Sequence, residues 1–246
     1  MITMYGHVPA WGIPDLSPFV TAIDLYLRMT GQPYHLVLGD LGEAPMGKLP
    51  YIEDGDITVA DTSFILEYLK HTYGDPLDSR LDAREEAVRL FIWRMMDESF
   101  YWYLVQGRYR RDEDFAHYDP LWEQFFGHLS QTDKRAAVED ARERLLTEFY
   151  QSGRGRLSWD EVEHLGCREI DAITAWLGHE DYLFGETPGS ADCAVHAFLQ
   201  GLIYVPFENQ IKTHALGQPT IVAYMKRISE RYYPELREKQ KEYADA

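Results

Sequence analysis

The stretch MGKLPYIEDGDITVADTSFILEYL, Met46 to Leu69, decides how this chain is read. Proline lacks the N–H that a sheet ladder needs, so Pro50 marks a strand entrance and leaves the Leu49 backbone at an unpaired edge. Tyr51-Ile52 and Ile57–Val59 flank Asp54-Gly55-Asp56, the residue types of a hairpin turn. Asp61-Thr62 follows, and either side chain can accept from the free N–H groups that begin a helix. Phe64, Ile65, Tyr68 and Leu69 continue at helical spacing as far as Gly74. That helix entrance also carries positive potential suited to a ligand carboxylate, while Asp61 suits an ammonium. The stretch is either folding punctuation alone or also one wall of a binding site.

Upstream, Ile2–Gly6 reads as a strand. Ser17 can cap a helix with Pro18 in its first turn and Phe19, Ile23, Tyr26 and Leu27 on one face, stopped by Gly31. Tyr34–Leu38 reads as a second strand, which completes a βαβ-ββα order over residues 1–75. DPLDSR marks a linker at residues 76–82, and residues 83–246 read as all-α. Helical periodicity runs through Ala83–Val105, Ala136–Tyr150, Ser158–Leu177, Ser190–Tyr204 and Thr220–Tyr232. Ser158 and Glu161 have the spacing of a capping box. Gly189 stands at the cap of the next helix with Asp192 three residues on, and Ser190 can shift that cap by one. Arg110–Lys134, rich in aromatics and charge, reads as an insertion between helices.

The chain has 246 residues, a formal charge of -17 and two cysteines, Cys167 and Cys193. That charge repels phosphate backbones and anionic membranes, so nucleic acid is not an expected partner. No apolar run approaches the ~18 residues of a membrane span, and MITMYGHVPAWG lacks a basic head before an apolar block. Two cysteines give no disulfide framework, and the expected location is cytoplasmic.

Four aromatics in a row, Phe100, Tyr101, Trp102 and Tyr103, cannot share one face of a helix, so one or two should reach a cleft. Arg108, Arg110 and Arg111 are expected to be solvated. His164-x-x-Cys167 and Cys193-x-x-His196 are mirrored pairs that could ligate zinc if their helices met. Buried cysteine is common in cores, however, and no metal is expected. There is no Cys-x-x-Cys, which argues against thioredoxin-type exchange.

The motifs LSPF, PMGKLPYIEDGD, ESFYWYLVQGRYR, GRGRLS, YLFGETPGSAD and YMKRISERYYPEL occur in this order along the chain. Together with the βαβ-ββα unit, they make it resemble a glutathione S-transferase, most closely the branch of metaxin and the failed-axon-connections protein. The resemblance implies an α/β thioredoxin-like N-terminal domain followed by an all-α C-terminal domain. It implies glutathione as co-substrate, paired with the Leu49 backbone beside a cis Pro50. Asp61 and Thr62 would hold the γ-glutamyl end, and Lys48 would hold the glycyl carboxylate. Where this family commonly has Glu-Ser, the chain has Asp61-Thr62.

Catalysis in such a protein lowers the pKa of the glutathione thiol from about 8.5. Ser17 in LSPF is the candidate thiolate stabiliser, or only a helix cap. Tyr5 is the rival donor, or a strand aromatic packed on the core. Trp11, Tyr101 and Trp102 are candidates for the pocket of a small, apolar electrophile. The expected activity is conjugation or reduction of that electrophile. The alternatives are a non-catalytic transferase-fold scaffold and a glutathione-dependent isomerase or peroxidase. The resemblance also raises a homodimer.

Overall fold

The protein was analysed as a computed structural model that describes residues 1–244. Four strands, β1 (Ile2–Gly6), β2 (Tyr34–Leu38), β3 (Tyr51–Asp54) and β4 (Ile57–Ala60), form one sheet in the order β2-β1-β3-β4. β1 and β2 run parallel and the other pairs antiparallel. Helix α1 (Pro18–Thr30) makes the crossover between β1 and β2, and α2 (Thr62–Tyr73) follows β4. Local chemistry sets these boundaries. Gly31 takes φ 67° at the end of α1, and Gly55 takes φ 64° in the hairpin, the left-handed region that glycine enters without a Cβ clash.

The helical part contains α3 (Ala83–Arg94), α4 (Tyr101–Tyr109), α5 (Asp112–Phe115), α6 (Trp122–Phe126), α7 (Gln131–Gln151), α8 (Trp159–Leu177), α9 (Ser190–Ile203), α10 (Gln210–Leu216), α11 (Pro219–Tyr232) and α12 (Arg237–Ala244). Every residue of α9 is buried, and α9 packs directly on α1. That contact is the main seam between the two halves. Among the described residues no helix is long and apolar enough to cross a membrane.

Several expectations need correction. The helix expected over Ala83–Val105 extends to Tyr109 and is interrupted by a π-helical segment, Met95–Phe100. Such a segment rotates everything beyond it relative to the first part of the helix, and this divides the aromatic run. Phe100 and Tyr103 are buried, while Tyr101 and Trp102 are only partly so. Helix α7 begins at Gln131 rather than Ala136 because Ser130 caps it, accepting from the Asp133 N–H at 3.2 Å. The Ser158–Glu161 capping box forms as expected. Gly189 remains the cap of α9, and Ser190 instead gives its hydroxyl to Asp78.

Asp78 makes the segment at residues 76–82 more than a tether. Its buried carboxylate accepts from the Ser190 N–H at 2.8 Å, from the Ser190 hydroxyl and from Lys70, with Arg89 at 3.8 Å. Burial opposes ionisation, but the bonds from Lys70 and Ser190 prevail and hold the carboxyl below its ordinary value. Asp78→Ala leaves those donors unpaired and should destabilise the protein by about 3 kcal/mol, lowering the melting point by about 8 °C. Because the folded-state pKa is depressed, this contribution is present above the ordinary carboxyl value. It disappears as pH falls through the folded value. Denaturant titrations should therefore show the gap between wild type and variant closing below about pH 4; a gap that persists in acid would contradict the assignment.

Candidate functional site

The register of the sheet gathers the candidate residues at one edge. Tyr5 pairs with Tyr51, and Tyr51 pairs with Ala60. The end of β1, the start of β3 and the end of β4 therefore lie side by side, and α1 begins at the same edge. Leu49-Pro50 precedes β3 there, with its peptide bond cis. The β1–β3 ladder stops at Tyr51, so the Leu49 backbone lies beyond it. The Leu49 side chain is buried and lies so close to Gly39 that a Cβ on Gly39 would fall 2.7 Å from it. Lys48 is exposed.

Asp61 caps α2, with Oδ1 accepting from the Ser63 N–H at 2.9 Å, and Thr62 is buried as its first residue. Asp61 has φ 74°, and Trp11 has φ 51°. Among the described residues these are the only two non-glycine positions with positive φ. A side chain held in that region costs about 1–3 kcal/mol, and such strain concentrates at binding sites.

At the head of α1, Ser17 is half-buried, and its Oγ accepts from the Val20 N–H at a long 3.4 Å. Its N–H donates to Asp15 Oδ1 at 2.8 Å, while Asp15 Oδ2 accepts from the His7 N–H at 2.7 Å. Burial pushes the Asp15 carboxyl up, against the pull of His7 and of these amides. Asp15 needs the space left by Gly6, where a Cβ would fall 2.8 Å from Oδ2. The long connection between β1 and α1 packs against the helical half, where the Gly12 N–H donates to Tyr204 O at 3.0 Å. Leu16 N–H donates back to Val8 O at 3.1 Å, which returns the chain to the strand end just before Ser17. Asp15 was not singled out in the sequence, although Asp-x-Ser before a helix is a recognisable turn.

Tyr5 is placed differently. Its hydroxyl donates to Glu53 Oε2 at 2.7 Å, and its ring stacks on Tyr51 with centroids 4.2 Å apart. The bond to Glu53, then burial, pushes the phenol up to about 12.

The aromatic candidates fall into two groups. Trp11 meets Tyr118 and Phe207 edge-on, at 5.3 and 5.1 Å. Tyr101 packs on Phe19 at 5.0 Å and on Trp102, whose ring lies against Phe149. Burial raises the Tyr101 phenol to about 12. The Arg110–Lys134 segment folds as the short helices α5 and α6, with a 3-10 turn at Ala116–Tyr118 between them, and runs into the start of α7. Its rings meet the β1–α1 connection, with Tyr118 against Trp11 and Phe125 6.3 Å from His7.

Arg108 is not solvated as expected. It is 5 % exposed, and its guanidinium donates to Leu16 O at 2.8 Å and to Gly201 O at 2.7 Å. Arg110 bonds to Gln106 and Arg111 to Asp114, and both lie over the Trp159 ring.

The mirrored pairs stay apart. His164 is exposed on α8, and Cys167 lies 3.9 Å from Gln210 O. Cys193 is buried against the Met29 sulfur, and His196 Nε2 bonds to Ser229 Oγ at 3.0 Å. Among the described residues no group of three or more His, Cys, Asp or Glu side chains is placed to hold a metal ion.

Residues 18–115 match the glutathione S-transferase N-terminal domain family, and residues 166–228 match the glutathione S-transferase C-terminal domain family. Over 238 residues the chain is 35% identical to the isoprene-epoxide–glutathione S-transferase of Rhodococcus sp. (strain AD45), covering 94% of this chain and 99% of that protein. It is 22% identical to Failed axon connections of Drosophila melanogaster over 91% of this chain and 56% of that one. Human Metaxin-1 is also 22% identical, over 91% of this chain and 49% of that one. Among solved structures, the β-etherase LigF of Sphingobium sp. strain SYK-6 superposes with TM-score 0.65 at 19% identity. That match covers 97% of this chain and 99% of the other. A glutathione S-transferase of Rhodospirillum rubrum F11 gives TM-score 0.61 at 16% identity, covering 95% and 91%. The structural likenesses carry the fold, and the two family matches with the 35% relative carry the membership: the chain belongs to the glutathione S-transferase family.

Proposed function

We propose that the protein binds glutathione along the Leu49 edge and transfers it to a small, apolar electrophile, with Ser17 as the donor to the thiolate. The observation that carries this reading is where the two candidate hydroxyl protons go. Tyr5 gives its proton to Glu53. Ser17 uses its oxygen only as a weak cap for Val20, which leaves its O–H free to donate to a sulfur. The first turn of α1 holds no acidic residue, and the carboxylate at its head, Asp15, is engaged by the His7 and Ser17 amides. Both effects favour a thiolate over a thiol.

Glutathione would extend the sheet edge through the Leu49 backbone. Asp61 would meet its ammonium, the amide end of α2 at Thr62 its γ-glutamyl carboxylate, and Lys48 its glycyl carboxylate. The Rhodococcus relative's name indicates the electrophile class, a small alkene epoxide. The sulfur attacks an epoxide carbon, a C–S bond forms as the C–O bond breaks, and the resulting alkoxide takes a proton from water. Trp11, Tyr101 and Trp102, with Tyr118 and Phe125 beside them, would supply apolar surroundings for that carbon.

The test is binding followed by turnover. With glutathione at about 100 times its Kd, linkage gives about 2.7 kcal/mol of stabilisation, or a melting point raised by about 8 °C. The protein should also be retained on immobilised glutathione and should consume thiol when a small alkene epoxide is added. No thermal shift and no retention would remove the enzyme reading and leave a transferase-fold scaffold.

A further inference from the structure

Among the described residues, the buried guanidinium of Arg108 has no carboxylate among its hydrogen-bond partners, and it sits beside Ser17. Arg108, on α4, sends one guanidinium nitrogen to Leu16 O and another to Gly201 O, while its Nε has no partner among the described residues. A buried guanidinium whose hydrogen bonds go to carbonyls, with the Phe207 ring centroid 5.9 Å from its Cζ, is a cation with no anion bonded to it in a region of low dielectric, an arrangement that core packing alone does not call for. Gly201 makes it possible, because a Cβ there would fall 2.7 Å from Arg108 Nη2.

The peptide linking Leu16 to Ser17 is held at both ends. Arg108 takes its C=O at 2.8 Å, and the buried Asp15 takes its N–H at 2.8 Å. The orientation of that peptide sets where the Ser17 Oγ points and how the first amides of α1 are aimed. We infer that Arg108 is the positioning residue for the sulfur site. It fixes the Leu16–Ser17 peptide so that the Ser17 hydroxyl and the head of α1 face the bound thiol, and it adds its charge to the field that favours the thiolate. The inference rests on the proposed glutathione site.

The titratable and charged groups facing this region are Asp15 and His7 from the β1–α1 connection, Tyr101 and Tyr109 on α4 itself, Tyr118, and Glu148 and Arg144 from α7. Burial holds the phenols of Tyr101 and Tyr109 protonated through the neutral range. Asp15 opposes Arg108 in sign but grips the other end of the peptide.

Three variants of the whole chain test this through the ultraviolet absorbance of bound glutathione thiolate, titrated against pH. Arg108→Met removes the charge and both donors, and should move the titration up by about one pH unit, a tenfold loss of thiolate at neutral pH. Arg108→Lys keeps the charge and one donor and should recover most of that shift. Gly201→Ala sits on a helix that tolerates alanine, and should push the guanidinium aside and give an intermediate shift. Retention on immobilised glutathione should change less than about threefold in each, since a single positioning contact acts on the bound thiol rather than on the rest of the ligand. If Arg108→Met fails to fold, Gly201→Ala carries the test. The inference is overturned if Ser17→Ala moves the titration while Gly201→Ala, and Arg108→Met where it folds, titrate like wild type. In that case the Ser17 reading survives. If Ser17→Ala moves nothing either, both fall.

Discussion

Replacing Asp192 with alanine is expected to destabilise the protein by about 4 kcal/mol and to lower its melting point by about 12 °C. The Asp192 carboxylate is wholly buried and accepts from the Gly189 N–H at 2.7 Å, the Leu183 N–H at 3.0 Å and the Tyr224 hydroxyl at 3.0 Å. It thereby ties the turn before α9 and the face of α11 to the head of the most buried helix. Truncation strands two buried amides and a phenol, each costing about 1–3 kcal/mol, with partial relief from relaxation. Asp192→Asn keeps the volume but turns an NH₂ toward one of those amides, so it should recover only part of the loss. Burial raises the Asp192 carboxyl to about 6 in spite of its three donors. The folded pKa is thus above the unfolded one, and the contribution of this group grows on mild acidification and is lost as pH rises through about 6. The stability gap between wild type and Asp192→Asn should accordingly widen by about 1 kcal/mol between pH 7 and pH 5. Urea denaturation at the two pH values measures it, and a gap that narrows would refute the protonation argument.

How far the sequence could be read follows from the range of the interactions involved. Ser17, Gly31, Pro50, Gly55, Asp61 and Gly74 each set a boundary through chemistry within a few residues of themselves, and each is legible. The segment from Arg110 to Lys134 is not. Its helices α5 and α6 are too short for a 3.6-residue period to emerge, and its order comes from the Tyr118 ring, edge-on to Trp11 and stacked on Phe207. The π-helical segment at Met95–Phe100 left no composition signal, yet it determines which of the four aromatics face inward. Arg108 looked like one of three solvated arginines because its partners, Leu16 O and Gly201 O, are remote in sequence and are backbone atoms that no side-chain pattern reveals. The mirrored His-Cys pairs were spaced alike by coincidence. One faces α10 and the other is enclosed between α9 and its neighbours.

Replacing Ser17 with alanine should lower kcat/KM for conjugation by about 100-fold, comparable to losing one donor to a developing or resting anion. The Kd for glutathione should change little, because the Leu49 edge and the heads of α1 and α2 remain. The cost in stability should be below about 1 kcal/mol. The cap contact to Val20 is already long at 3.4 Å, and Asp15 still holds the residue-17 N–H at 2.8 Å. That separation between a large kinetic effect and a small structural one is the signature of a group acting on the sulfur. The rate of wild type should rise with pH through a midpoint below the ordinary thiol value of about 8.5, where the bound thiol ionises. In the variant that midpoint should move up towards the free-thiol value, so the two proteins should converge at high pH and differ most near neutrality. Tyr5→Phe provides the contrast. It removes a proton already given to Glu53, and should leave the rate within about threefold of wild type. The opposite pattern, with Ser17→Ala titrating like wild type and Tyr5→Phe losing the thiolate, would transfer the role to Tyr5. It would also require the Tyr5–Glu53 bond to break when glutathione binds.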